Sequence, residues 1–353
     1  MDHLIFAINP GSTSTKIALY RNEAELYKET IDHPQDEIGN YSGLLDQIPL
    51  RLKIVLDSLE RHGFSAESLA CVMGRGGLLP PVKTGGYKVT QKMLDLILQE
   101  RIPPHASNLG AVLADEVAAI AGVNAYIYDA PSANEFPPVA TITGMKEVVR
   151  KSLCHVLNSR AVSIKLASNQ GRRYEDMDLI VAHLGGGITM SAHQKGKIVE
   201  SLADDNGPFA PERAGSVPLL DVIDLCYSGQ FSKHEMIKKV RGMGGLRDLL
   251  GTSDGREIAK MVQSGNEYAA LVMEAQAYQI AKGIFLVAPP LMGSIDAIIL
   301  TGGLANNRFL VENVEKYITH LAPVFVFPGE LEMEALALGG LRILRGQETV
   351  HEL

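Results

Sequence analysis

The stretch LIFAINPGSTSTKIAL at residues 4–19 returns in outline as LIVAHLGGGITMSAH at residues 179–193, so each half of the chain runs an apolar strand into a small, Gly-rich turn and out again. Both copies open on Leu-Ile-(Phe/Val)-Ala, and laying Leu4 on Leu179 places Gly11 on Gly186. A single such turn constrains little, because Gly-Ser-Thr clusters commonly close hairpins. Two at matching places in a chain of 353 residues, too long for one ordinary core, predict a duplicated pair of α/β domains, each offering a phosphate-sized loop.

The formal charge of −8 argues against nucleic-acid or anionic-membrane binding, since both need a basic surface to displace counterions. Any anionic ligand must therefore be held by local cations. Cys71, Cys154 and Cys226 are few and far apart with no CxxC, which points to neither a zinc site nor a disulfide framework and suits a reducing compartment. Met1-Asp2-His3 lacks the basic start of a signal peptide, and the apolar run at residues 283–292 is broken by Pro289-Pro290 and too short for a bilayer. The expected location is the cytoplasm.

Residues 44–61 carry helical apolar spacing, with Pro49 set to kink the helix or to begin a new segment. LACVMG leads as a strand into Arg75. Residues 108–123 read as an amphipathic helix capped by Ser107 or Asn108, and AYIYDA follows as a buried strand that leaves Asp129 at its carboxyl end. Open α/β sheets gather ligand groups at that end. Residues 145–167 read as a helix crossing between the halves, residues 268–287 as a long buried helix and residues 336–344 as the last helix. The tail QETVHEL reads as polar and frayed.

The turn Asn9 to Lys16 gathers hydroxyls and backbone N–H groups with little bulk to keep a phosphate away, although alone it also reads as a plain hairpin turn. His183-Leu184-Gly185-Gly186-Gly187 is more specific, because three successive glycines cost backbone entropy that a simple turn need not incur. Thr301-Gly302-Gly303-Leu304-Ala305-Asn306-Asn307 repeats that logic near a helix start. There is no GxxxxGK[ST] and no GxGxxG after a strand, which demotes the P-loop and dinucleotide solutions, and His234-Glu235 lacks the second His of HExxH, so a zinc hydrolase fails.

INPGSTSTK is similar to the acetokinase signature NAGSSSxK, HLGGG to the acetokinase HLGxG, and TGGLANN to the acetokinase adenosine turn TGGxxxN, in the same order over nearly the whole chain. On these segments the chain resembles the acetokinase family, within the actin-like ATPase and acetate/sugar kinase superfamily. GRGGLLPP around Arg75, PPHASN around His105 and YDAPSANEFPPVA around Asp129 resemble most the branch that acts on butyrate and branched acids. Against the acetate enzymes, Pro10 replaces a small residue and Gly74-Arg75-Gly76-Gly77 replaces a longer His-Arg stretch, departures that bear on acyl specificity.

The resemblance implies an α/β fold of two duplicated RNase H-like domains of actin-like ATPase type with an interdomain cleft. Residues 1–150 with 335–353 would take the acyl substrate and phosphate, and residues 151–334 the nucleotide. The implied reaction is reversible transfer of the γ-phosphoryl group of ATP, with Mg2+, to a short-chain fatty-acid carboxylate, giving acyl phosphate and ADP. Arg75 would hold the carboxylate, Arg213 and His155 the transferring phosphoryl group, and Asp129 would orient groups around substrate or metal. His105, Gly76, Gly77 and Leu78 would line the acyl pocket, with Leu79 a further wall. Asn9, Ser12, Ser14, Lys16, His183, Gly185, Gly186 and Gly187 would face phosphates, and Asp254, Arg256, Gly302, Gly303 and Asn307 would face adenosine. Glu332, in competition with Glu334, would serve the metal. Related kinases assemble, so a homo-oligomer is expected. The competing readings are a hydroxyl kinase with Asp129 as base and a non-catalytic ATP switch.

Overall fold

Strand β1 (Leu4–Pro10) turns through Gly11 into β2 (Ser14–Arg21) in a register that pairs Leu4 with Arg21 and Pro10 with Thr15. The computed structural model describes residues 2–34, 38–39 and 41–353. β3 (Ala24–Asp32) continues the meander antiparallel to β2. β4 (Cys71–Arg75), β5 (Gly86–Lys88) and β6 (Ala125–Tyr128) complete a sheet of order β3-β2-β1-β4-β6-β5, in which β1, β4 and β6 run parallel. The second half repeats this plan with β7 (Asp178–Leu184), β8 (Ile188–Gln194), β9 (Lys197–Leu202), β10 (Ala297–Gly302) and β11 (Val324–Pro328). Its order is β11-β10-β7-β8-β9, with the β7–β8–β9 meander antiparallel and β7, β10 and β11 parallel. The RNase H-like plan is therefore present twice.

Strands covered by helices on the sheet faces read as continuous apolar runs rather than alternating ones. Ile5, Phe6, Ala7 and Ile8 of β1, and Leu179, Ile180, Val181 and Ala182 of β7, are all fully buried. In the first half the helices Leu109–Ala121 and Glu332–Leu344 pack on β1 and β4, and in the second Val156–Asn169 packs on β7 and β10 while Glu267–Val287 packs on β7, β8 and β9. Among the described residues no helix is long and apolar enough to cross a membrane.

The chain divides into two compact units, Met1–Asn134 with Leu331–Leu353, and Glu135–Glu330. These compact units differ at both edges from the expected division into 1–150 with 335–353 and 151–334. Glu135 accepts the backbone N–H of Ile198, and Arg150 donates to Glu200 and to the carbonyl of Ser201, so residues 135–150 belong with the second sheet. Residues 332–334 begin a helix of the first unit.

Several local expectations change for physical reasons. Pro49 lies in the first turn of the helix Ile48–Arg61, so it starts that helix rather than kinking it. Neither Ser107 nor Asn108 caps Leu109–Ala121 by side chain; Asn108 accepts from the Leu78 N–H and donates to the Pro103 carbonyl instead. The helix expected over 145–167 starts only at Val156, and ahead of it the Thr143 hydroxyl takes up the Met145 and Val148 carbonyls in competition with helical bonds. Nor is the tail frayed. Glu348 accepts from the Tyr128 hydroxyl and from Arg342, and His351 exchanges backbone hydrogen bonds with Gly86 and Lys88 at the sheet edge.

The helix Leu109–Ala121 meets β4 backbone to backbone. A Cβ at Gly74 would lie 2.1 Å from the Gly110 carbonyl oxygen, and one at Gly110 would lie 2.4 Å from that of Arg75. Gly74→Ala should therefore cost about 3 kcal/mol, the upper end of overpacking losses. A denaturant midpoint equal to wild type would contradict this packing.

In the second unit the fully buried His193 has Nδ1 2.7 Å from the Tyr174 hydroxyl and Nε2 2.8 Å from the Ser191 hydroxyl. Burial, aided by the nearby Arg160 charge, holds this imidazole down at about 3. Its folded value lies below its unfolded one, so its contribution to stability is present above the ordinary histidine range and is lost as pH falls toward 3. The slope across that window is about 1.4 kcal/mol per pH unit while only the unfolded chain binds the proton. Urea unfolding of wild type and His193→Gln at pH 6.5 and 4.5 should show the variant losing less on acidification; equal losses would refute the assignment.

Candidate active site

In the first unit, the carboxyl ends of β1 and β4 and the start of the last helix bring Asn9, Arg75 and Glu332 together. Glu332, 4% exposed, accepts at Oε2 from Asn9 Nδ2 at 2.7 Å and from Arg75 Nη1 at 3.0 Å. Arg75 Nη1 also lies 3.3 Å from Asn9 Oδ1. The guanidinium is thus gripped on one edge, while Nε and Nη2 have no protein acceptor among the described residues and the side chain remains 23% exposed. Glu334 is half-buried outside this group, near Tyr20.

The turn joining β1 to β2 exposes Ser12 and leaves Ser14 and Lys16 half-buried. Asp129 follows β6 at φ 44°, in the left-handed region, and is 2% exposed. Its Oδ1 accepts the Gly85 N–H at 2.8 Å, and its own N–H donates to the Gly85 carbonyl at 3.1 Å, so one carboxylate oxygen already clamps the β5–β6 edge. His105 is exposed, with Nδ1 2.6 Å from the Ser107 hydroxyl. Gly76 and Gly77 are packed against protein: a Cβ would lie 2.6 Å from Ala130 Cα at the first and 2.2 Å from Asn108 Oδ1 at the second. Leu78 is half-buried, whereas Leu79, expected as a pocket wall, joins the first unit's core.

In the second unit, the His155 and His183 rings stack with centroids 3.7 Å apart and planes 8° from parallel. Asn158 Nδ2 donates to His183 Nδ1 at 3.0 Å and to Thr301 Oγ1 at 3.2 Å, which in the neutral ring leaves the proton on Nε2. That nitrogen lies 3.8 Å from Glu330 Oε1. His155 Nδ1 is 2.9 Å from Thr189 Oγ1 across the β7–β8 hairpin. The hairpin turn carries Gly185, Gly186 and Gly187; Gly186 is exposed with open space where a Cβ would stand, and at Gly187 a Cβ would meet Asp204 at 2.9 Å.

Asp204 organises the arginines. Its Oδ2 accepts from Arg213 Nε at 3.1 Å, and its Oδ1 accepts from Arg241 Nη2. Arg213 Nη1 donates to the Glu212 carbonyl, so Nη2 alone has no protein acceptor among the described residues, and the side chain is again 23% exposed.

Further along the same unit, a cavity of about 610 Å³ is lined by Asp254, Arg256, Met273, Gly303, Asn307 and Phe309 among others. Asp254 caps the helix Gly255–Gln263, and its hydrogen bonds to Arg256 lower its carboxyl to about 2. Asn307 caps Arg308–Ile318 by accepting the Leu310 N–H. At Gly302, φ 90°, the backbone passes so close to β7 that a Cβ would lie 2.4 Å from the Leu184 carbonyl oxygen.

Asp204, Arg241, Asn158, Thr189 and Glu330 are additions to the expected set. Asp204 ends a hairpin in a run of turn-forming residues, and Arg241 follows two lysines on a helix, so neither stands out from ordinary surface charge in the sequence.

Two RNase H-like units, each presenting a Gly-bearing hairpin turn, give this chain the actin-like ATPase fold. The acetokinase family profile matches residues 124–330, and the chain belongs to the acetokinase family. It is accordingly a carboxylate kinase that uses ATP. The fold is that of an acetate kinase from Porphyromonas gingivalis, at TM-score 0.78 and 20% identity over 97% of this chain and 100% of that one. A propionate kinase from Francisella tularensis superimposes at TM-score 0.74 and 16% identity over 96% of this chain and 98% of that one. A ROK family protein from Streptococcus pneumoniae is more distant, at TM-score 0.53 and 13% identity over 98% and 100% of the two chains.

Proposed function

We propose that this carboxylate kinase transfers the γ-phosphoryl group of ATP reversibly to butyrate or a branched relative, giving the acyl phosphate and ADP. The observation that carries this reading is the pair Arg75 and Arg213. Each is half-buried, each is held along one edge by a carboxylate (Glu332 or Asp204), and each keeps N–H donors without a protein acceptor among the described residues. A guanidinium oriented in this way is prepared for an oxyanion at no reorganisation cost.

The chemistry needs that preparation. A fatty-acid carboxylate is already ionised at neutral pH, so it attacks without a general base, and Asp129 is assigned orientation rather than proton removal. The barrier lies in bringing one anion to another and steadying charge on the transferring oxygens. Arg75 receives the carboxylate, and Arg213 with His155 donates to the phosphoryl oxygens. Asn9, Ser12, Ser14, Lys16, His183, Gly185, Gly186 and Gly187 receive the nucleotide phosphates. Asp254, Arg256, Gly302, Gly303 and Asn307 receive adenosine, with Gly302 acting through the backbone path it permits. His105, Gly76, Gly77 and Leu78 shape the acyl pocket.

Among the described residues no group of three or more His, Cys, Asp or Glu could hold a metal ion. The buried carboxylate of Glu332 fits magnesium that arrives on ATP and keeps most of its waters, rather than a protein cage. When bound, the ion neutralises phosphate charge; Glu332 would orient its waters while fixing Arg75.

We also propose a homo-oligomer. The helix Leu219–Tyr227 buries none of its residues, and Leu219 and Leu220 are each 76% exposed, a contiguous apolar face of the kind that marks protein contacts. Sedimentation should give at least a dimer that Leu220→Lys weakens; a monomer at micromolar concentration would refute this.

The test of function is a hydroxamate assay with ATP and acetate, propionate, butyrate, isobutyrate or valerate. The highest kcat/KM should fall on butyrate or isobutyrate. A preference for acetate would overturn the acyl assignment, and no hydroxamate with any acid would overturn the carboxylate acceptor.

A further inference from the structure

Among the described residues Arg51 is the largest side chain buried without any exposure, and it sits beneath the β1–β2 turn. It reaches there from the helix Ile48–Arg61 and spends all five donors. Nε and Nη2 donate to Gln47 Oε1 at 3.1 and 2.9 Å, Nη1 to the Ser14 carbonyl at 3.2 Å and to Thr15 Oγ1 at 3.0 Å, and Nη2 to the Ser12 carbonyl at 3.2 Å. None of these acceptors is charged. A cation withdrawn from water with only neutral partners is expensive, and a turn needing mere bracing could be braced by a neutral amide.

The placement suggests what offsets the expense. Arg51 draws the Ser12 carbonyl inward, and the His33 N–H takes the Thr13 carbonyl at 2.8 Å. In a trans peptide the N–H points opposite its carbonyl, so the Thr13 N–H is turned away from Arg51, on the side of the exposed Ser12. The turn thus offers donors outward above a buried positive charge, the arrangement that favours an anion.

We propose that Arg51 is a positioning residue for phosphoryl transfer: its buried charge, acting through the Ser12–Thr15 turn, sets the affinity of that turn for the nucleotide phosphates. This rests on the assignment of the turn to phosphate made above.

The experiment measures KM for ATP, KM for butyrate, kcat and thermal midpoint for wild type, Arg51→Gln, Arg51→Lys and Ser12→Ala/Ser14→Ala. Arg51→Gln should raise the ATP KM about tenfold, the scale of one charge-assisted contact, with the butyrate KM unchanged. Arg51→Lys, which keeps the charge and loses the fork, should stay within about threefold of wild type for ATP even if its melting point falls. A wild-type ATP KM in a folded Arg51→Gln, beside a raised one in the serine variant, overturns this inference and leaves the turn assignment standing. A wild-type ATP KM in the serine variant overturns the turn assignment, and the inference with it. Should Arg51→Gln fail to fold, Arg51→Lys decides: an ATP KM raised tenfold despite the retained charge overturns the proposal.

Discussion

Arg213→Ala is expected to lower turnover about a thousandfold while changing the affinity for ATP only a fewfold, because an arginine at a transferring phosphoryl group acts chiefly on the transition state. The asymmetry follows from the geometry around it. Asp204 also accepts from Arg241, so truncating Arg213 leaves that carboxylate paired and the β9 end intact. The cavity around Asp254, Gly303 and Asn307, proposed above for adenosine, is lined by neither residue. Stopped-flow nucleotide binding alongside steady-state rates separates the two effects. A proportionate loss of ATP affinity would make Arg213 a ground-state binding residue, and unchanged turnover would remove it from the mechanism.

Glu332→Ala should be the most damaging change in the first unit. It leaves the buried Asn9 amide and the Arg75 guanidinium without their shared acceptor, and breaking a paired buried charge costs about 3 kcal/mol or more. Activity should fall about a hundredfold, as expected when a group that orients a charged ligand-holding side chain is lost. Glu332→Gln keeps an acceptor oxygen and should recover most of the stability. If the carboxylate also orients the metal's waters, the glutamine variant should need more magnesium for half-maximal rate. Wild-type magnesium dependence in a stable Glu332→Gln would confine Glu332 to holding Arg75.

How far the sequence carries depends on whether each feature is local. The two hairpins are legible because β1 and β7 each carry an unbroken apolar run, residues 4–8 and 179–182, and their turns carry residues that permit close approach. Asp129 is legible as a strand-end acid for the same reason, although its bond to the Gly85 N–H becomes apparent only when β5 lies beside β6. The choice between Glu332 and Glu334 is not local: both lie in the first turn of one helix, and it is contacts with Asn9 and Arg75, far away in the chain, that set Glu332 apart. Arg51 and Arg241 are hidden for a related reason. Each sits among charges that a helix normally turns to solvent, and its role comes from a partner brought near by the fold. The domain edge near residue 134 is obscured because the segment after it has no periodicity of its own and is held by Ile198, Glu200 and Ser201.

The proposed function requires Arg75 and Arg213 to serve one transferring phosphoryl group. A crystal structure of the protein with ADP, magnesium, aluminium fluoride and butyrate tests it most directly. Arg213 is expected within hydrogen-bonding distance of the fluoride ligands and Arg75 on the butyrate carboxylate, each still gripped by its own Asp204 or Glu332. A complex with either guanidinium turned away from the aluminium centre and the acid would contradict it.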